Sequence, residues 1–310
     1  MVSFRYNLAL ALGGGGARGL AHIGVLRALQ NADIRPDLIV GTSMGAVIGG
    51  MYAQMTDIDQ VEKKILTFIE KFGVKAKWLD FLGQVDARDR HDMFRDIAYH
   101  IKKQFAGLRT LTRVSLEDRK VLYDPLTDFF RDEIIEDCHI PFAAVALDLK
   151  KGRMEVLDRG SIIEAVYASA AVQGVFPPVD YQGLILCDGG PVATVPVEAA
   201  RNLGARYVVA VDVSPDIKEK NEFTSGLDIL LRSDSVGQDR LRRIDRRLAD
   251  IVISPRVHTV HWANFSKTEY CIRRGERAGE KAIDDIESLI KARPWWKRII
   301  NIRNQAVSGR

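Results

Sequence analysis

The sequence predicts one α/β domain with a mostly parallel central sheet flanked by helices. Three observations carry that prediction. Apolar runs of strand length alternate with segments of helical period from Leu8 to Val213, two glycine-rich strand-to-helix turns fall before Ala46, and no Gly/Ser/Pro-rich linker interrupts the pattern. Such alternation implies right-handed βαβ connections, with sites at the C-terminal ends of the strands.

Leu8 to Leu12 reads as a strand. Leu20, Ile23, Leu26 and Leu29 then line one face of a helix, so Gly13 to Gly16 occupy the junction. Backbone N–H groups exposed beside the start of a helix suit an anion or a developing negative charge. Leu38 to Val40 is the next strand, and it runs into Gly41-Thr42-Ser43-Met44-Gly45 and a small, apolar helix. Ile58 to Phe72 has a helical apolar face. Within 72–115, Phe94, Ile97, Ile101 and Phe105 form a helical stripe, either core or a cap lining an acyl-chain groove.

Further on, Leu126 to Ile135 reads as a helix and Phe142 to Asp148 as a buried strand, followed by a hairpin through Lys151-Gly152 to Leu157. A helix from Ser161 to Ala170, a strand from Leu184 to Cys187, a helix within Val192 to Asn202 and a strand from Tyr207 to Val213 complete the alternation. Asn221 to Leu248 is expected to be helical, Ile251 to Ser254 a late strand, and Arg277 to Arg293 a final amphipathic helix. The domain is assigned to 1–290 and a basic-apolar segment to 291–310.

Composition limits the functional classes. With 310 residues, 46% of them hydrophobic and 28% charged, the chain has enough material for a large core. The net charge of +4 is small, and no motif that reads DNA or RNA is present, so no nucleic-acid partner is expected. The basic run Arg240 to Arg247 reads as a solvated helix face. Trp295, Trp296, Lys297, Arg298, Ile299 and Ile300 mix aromatic, aliphatic and basic side chains, which suits either docking on the domain or peripheral contact with an anionic membrane. Cys138, Cys187 and Cys271 are widely spaced and read as buried thiols in a reducing compartment. The N-terminus lacks a signal-peptide pattern, so a cytoplasmic, membrane-peripheral location is expected. Neither His22, His91, His100 and His139 nor the pair His258 and His261 makes a compact metal signature, and no cofactor is expected.

Two chemistries fit the glycine turns. Gly14, Gly16 and Gly19 satisfy a dinucleotide fingerprint, yet no acidic residue closes the next strand to hold a ribose; Asp33 and Asp37 precede it. The alternative is acyl transfer. In G-x-S-x-G the serine sits on a sharp strand-to-helix turn that lifts its hydroxyl clear, and a neighbouring glycine loop supplies oxyanion donors.

Taken with Asp188-Gly189-Gly190, the motifs GGGGARG and GTSMG resemble those of the patatin-like phospholipase family, over roughly Leu8 to Val213 and nearest in type to bacterial members. The resemblance implies a patatin-like three-layer fold and a lipid acyl hydrolase working through a Ser-Asp dyad, without a partner histidine or cofactor. Ser43 then matches the nucleophile, Asp188 the dyad carboxylate, and Gly14, Gly15, Gly16 and Ala17 the oxyanion hole. Arg18, Gly19, Gly41, Gly45, Gly189 and Gly190 match the supporting positions. Phospholipids or lysophospholipids are the implied substrates. Two departures stand out: Gln173 replaces a common proline, and Ala193-Thr194 stand where an asparagine is common. A nucleotide-binding module and an inactive lipid-binding scaffold are the competing readings; NAD binding without esterase activity would favour the first, and lipid binding without turnover the second.

Overall fold

The computed structural model describes residues 4–73, 113–131 and 133–291. Within them the chain forms strand β1 (Tyr6–Leu12), a 3-10 turn (Gly16–Leu20), helix α1 (Ala21–Asn31), β2 (Leu38–Thr42), α2 (Met44–Met55), α3 (Ile58–Gly73) and α4 (Arg119–Phe129). Next come β3 (Phe142–Asp148), β4 (Arg153–Leu157), α5 (Ile162–Ala170), β5 (Val179–Tyr181), β6 (Leu184–Asp188), α6 (Val197–Asn202) and β7 (Ala205–Val211). The chain closes with α7 (Gly226–Leu248), β8 (Ile251–Ile253), α8 (Thr268–Glu280) and α9 (Ile283–Lys291). The expected cap stripe from Phe94 to Phe105 and the tail segment 295–300 lie outside the described residues.

Strands β3, β2, β1, β7 and β8 run parallel in that spatial order, whereas β4, β5 and β6 join antiparallel at the β3 end. The antiparallel end departs from a purely βαβ reading. It follows from the short hairpin at Gly152, which has φ +64 and turns β3 straight back into β4. Register then forces a useful arrangement. Ala144 pairs with Gly41 of β2 and Leu157 of β4, while Ala146 pairs with Asp188 of β6 and Glu155 of β4. Because β4 occupies one edge of β3 throughout, β2 and β6 must share the other edge, end to end. Thr42 lies opposite Val145 and Asp188 opposite Ala146, so the last residues of the two strands meet.

Alternation along β1 feeds two cores. Leu8, Leu10 and Leu12 join the side chains of α1, α2, α5 and α8 on one face; Ala9 and Ala11 join Val197, Ala199 and Ala200 of α6 on the other. Helices α1 and α8 cross at backbone contact, where a Cβ on Gly24 would lie 2.0 Å from the Ile272 carbonyl and one on Gly275 would lie 1.9 Å from that of Ala21. Small residues are the only ones that permit this approach.

Several element bounds differ from expectation. The helix expected from Leu126 to Ile135 starts earlier, because the Asp118 side chain accepts the Lys120 N–H as an N-cap, and it stops at Phe129, where Phe130 is extended. The helix expected within Val192 to Asn202 is α6, which begins after Pro196. The single final helix is two, α8 and α9. Strand β5 had no expectation; at three residues it is too short to show a period. No described helix is long and apolar enough to cross a membrane.

Candidate active site

Ser43 sits between β2 and α2 with φ 54 and ψ −122. A non-glycine residue rarely adopts that conformation, and here it is held by its surroundings. Its N–H donates to Ser169 Oγ (3.0 Å), whose own hydroxyl donates to the Val145 carbonyl (2.6 Å). The Ser43 carbonyl receives Ala46 N–H and Val47 N–H, starting α2 directly after the turn. A side chain at Gly45 would be impossible without a shift, since its Cβ would fall 2.1 Å from the Leu12 carbonyl oxygen.

The Asp188 carboxylate faces the Ser43 side chain and accepts the Gly190 N–H at 2.7 Å. Asp188 is buried, and that burial raises its pKa from 3.8 to about 6 against the opposing pull of the Ser43 side chain and the Gly190 N–H. The result is a carboxylate more basic than usual yet still largely ionised at neutral pH. The DGG loop is tied down from several sides. Gln173 Nε2 donates to the Asp188 carbonyl (2.7 Å), and Asp188 N–H donates to the Ala171 carbonyl (3.0 Å).

The two departures from the family pattern thus have structural work. Gln173 anchors the Asp188 backbone, a task a proline side chain could not perform. The Thr194 hydroxyl donates to the Gly190 carbonyl (2.8 Å), while the Ala193 carbonyl accepts the Thr42 hydroxyl (2.8 Å). This segment therefore laces β2, the DGG loop and the glycine loop together.

The glycine loop lies beside Ser43, but it does not offer all four expected donors. Gly14 N–H donates to the Thr194 carbonyl (2.8 Å), and Ala17 N–H donates to the Trp262 carbonyl (2.6 Å). Both are committed to holding the loop, so the oxyanion assignment narrows to Gly15 and Gly16. Gly16, with φ +55, passes so close beneath Trp262 that a Cβ would lie 2.3 Å from its carbonyl oxygen. Gly19 packs against Met44 and Gly41 against Ala46, so both act through close approach.

One buried side chain, His22, braces this loop, and a second, Arg18, runs inward beside it. His22 Nε2–H donates to the Gly13 carbonyl at 2.7 Å, and burial pushes its pKa down to about 4, which keeps the ring neutral. Arg18 extends into the domain instead of toward solvent; burial lowers its pKa to about 10, with Cys271 and Asp212 partly offsetting that. Ser169, His22 and Gln173 were not singled out as site residues from sequence. Only Gln173 gave a signal, as a departure from the family pattern; Ser169 acts on Ser43 across 126 residues, and His22 acts on Gly13 nine residues away without a motif to mark it.

An apolar cavity of about 150 Å³ opens at Ser43. Its walls come from Ile65 and Phe68 of α3, Leu122 and Leu126 of α4, Phe176 and Trp262. The site thus combines a hydroxyl, a buried base, backbone donors and a greasy channel, the parts acyl transfer needs. Of the cysteines, Cys187 and Cys271 are buried and Cys138 is half-buried. No group of three metal-ligating side chains occurs among the described residues.

The family profile described as Patatin-like phospholipase matches residues 10–201. A patatin-like phospholipase domain-containing protein of Caenorhabditis elegans is 34% identical over 232 residues, 73% of this chain and 15% of the relative. Patatin-like phospholipase domain-containing protein 6 of Homo sapiens is 31% identical over 257 residues, 78% of this chain and 16% of the relative. Neuropathy target esterase of Drosophila melanogaster is 33% identical over 209 residues, 67% of this chain and 13% of the relative. The chain spans no more than 16% of the length of these three relatives.

Proposed function

This chain belongs to the patatin-like phospholipase family, and from that premise we propose that it hydrolyses carboxyl esters of lipids through Ser43 and Asp188. One observation carries the reading: a serine held at positive φ on a strand-to-helix turn, facing a buried carboxylate of raised basicity. Asp188 takes the Ser43 proton as Oγ attacks the ester carbonyl carbon. The Gly15 and Gly16 N–H groups stabilise the resulting oxyanion. Collapse expels the alcohol, which leaves with the proton from Asp188, and the acyl group stays on Ser43. Water then attacks the acyl-enzyme while Asp188 accepts its proton, and that proton passes to Ser43 Oγ as the acid departs, restoring both groups.

The apolar walls beside Ser43 suit an acyl chain, with phospholipids or lysophospholipids as the substrate class. Neither NAD binding nor a metal enters this scheme. Purified Ser43→Ala should remain folded by circular dichroism and lose turnover of phospholipids, lysophospholipids and short acyl esters, with products followed by mass spectrometry. Full turnover by the folded variant would reject the serine mechanism.

A further inference from the structure

Helix α7 is built inside out. Its inward residues are polar: Arg242 and Arg246 pair with Asp212 at 3.1 and 2.7 Å, and Arg242 and Asp245 are its buried side chains. Its outward residues are apolar. Ile229, Leu230, Val236, Leu241, Ile244 and Leu248 are all exposed, Leu230 at 67%, and none of them joins either hydrophobic core; Leu231 is exposed as well but lies on the Arg242 side of the helix. At 100° per residue these six fall within an arc of about 140°. Arg240 and Arg247 lie inside that arc, while Arg243, paired with Asp239, and Asp234 stand at its two edges, all four exposed.

The helix also projects. Asp212 directly follows β7, so its bond to Arg242 sets that point of α7 level with the C-terminal edge of the sheet. From Arg242 back to Gly226 the helix is about 24 Å long, and none of its described residues before Arg242 is buried. Residues 214–225 return along it, held where Arg232 donates to the Lys218 carbonyl (2.7 Å) and Lys220 pairs with Asp228. This is the edge at which Ser43 stands, because β1, β2 and β7 are parallel.

We propose that this arm is a membrane-docking element that lays its outward stripe into the surface of an anionic phospholipid bilayer. The charge pattern selects that occupant over a second copy of the chain. Two such stripes face to face would oppose arginine to arginine, whereas an anionic lipid surface complements them. A polar cavity of about 240 Å³ at the root of the arm adds to the attraction: it is lined by Arg242, Arg246 and Arg256 against Asp212 and Asp216, and Arg256 pairs with no carboxylate among the described residues. Contact at this edge presents the Ser43 channel toward the lipid, so the inference rests on the lipid-hydrolase reading for its purpose but not for its test.

The test uses the full chain and Leu230→Glu/Ile244→Glu, both changes being on exposed positions remote from the proposed machinery. Cosedimentation is measured with vesicles of phosphatidylcholine alone and of phosphatidylcholine with one-third phosphatidylglycerol, and turnover with a water-soluble short-chain ester. The wild type should bind the anionic vesicles at least tenfold more tightly than the neutral ones, less so in raised salt. The double variant should lose at least tenfold of that binding, with short-ester turnover within twofold of wild type. Equal binding by the two proteins, or no wild-type preference for anionic vesicles, would overturn the proposal. So would a wild-type dimer in analytical ultracentrifugation that the double variant abolishes without any vesicle binding, since the stripe would then cover a second copy. Vesicle binding without turnover of any ester would leave the docking element standing and reject the hydrolase reading instead.

Discussion

Asp188→Asn should make the protein more stable relative to wild type as pH rises while removing its activity. The carboxyl ionises near 3.8 when unfolded and near 6 when folded, because burial disfavours its charge. Between those values the native state holds more protons than the unfolded one, so this group lowers stability as pH rises, and the full cost stands above pH 6. The displacement corresponds to about 3 kcal/mol, of which roughly 2–3 kcal/mol develops between pH 4 and pH 7. Asparagine has no such titration. It keeps an acceptor for the Gly190 N–H, but its amide needs a partner of its own, a constant penalty of about 1–3 kcal/mol. The stability of the variant minus that of wild type, from urea unfolding, should therefore climb by roughly 2–3 kcal/mol from pH 4 to pH 7 whatever its starting value. Other titrating groups, His22 included, are common to both proteins and cancel. Turnover should fall by about 10²–10⁴, the usual contribution of a general base. A difference that stays flat across this range would refute the claim that a desolvated carboxylate sits beside Ser43.

His22 gives the opposite slope: its buried ring resists protonation down to about 4, so its contribution is fully present above pH 6.5 and is lost as pH falls toward 4. His22→Gln should reduce the acid sensitivity of urea unfolding between pH 7 and pH 5 by about 2 kcal/mol. Ser169→Ala strands the Ser43 N–H and the Val145 carbonyl, so a loss of about 1–3 kcal/mol is expected. A fall in kcat of about tenfold should accompany it as the turn relaxes. Gly45→Ala places a methyl 2.1 Å from the Leu12 carbonyl oxygen, and thermal unfolding should show a drop of several degrees, from a cost of about 1–3 kcal/mol or more.

The sequence by itself determined the reading frame of the fold and pointed to the candidate reacting groups. Alternating apolar periods fix strands and helices locally, and a G-x-S-x-G turn is a local backbone solution whose glycines are visible wherever they occur. Ser43, Asp188 and the glycine loop could thus be named without coordinates. What tertiary structure decided is who meets whom. Ser43 and Asp188 are brought together because β2 and β6 share one edge of β3, a consequence of pairing registers between segments about a hundred residues apart for β2 and about forty for β6. The same holds for the oxyanion donors, since Gly14 and Ala17 are taken out of service by carbonyls of Thr194 and Trp262. Arg240 to Arg247 shows the limit most plainly. Charge composition alone makes it a solvated face, yet a buried Asp212 at the end of β7 draws Arg242 and Arg246 inward and turns the apolar side of α7 outward. Helical period tells which residues share a face, but only the partner across the gap tells which face is inside.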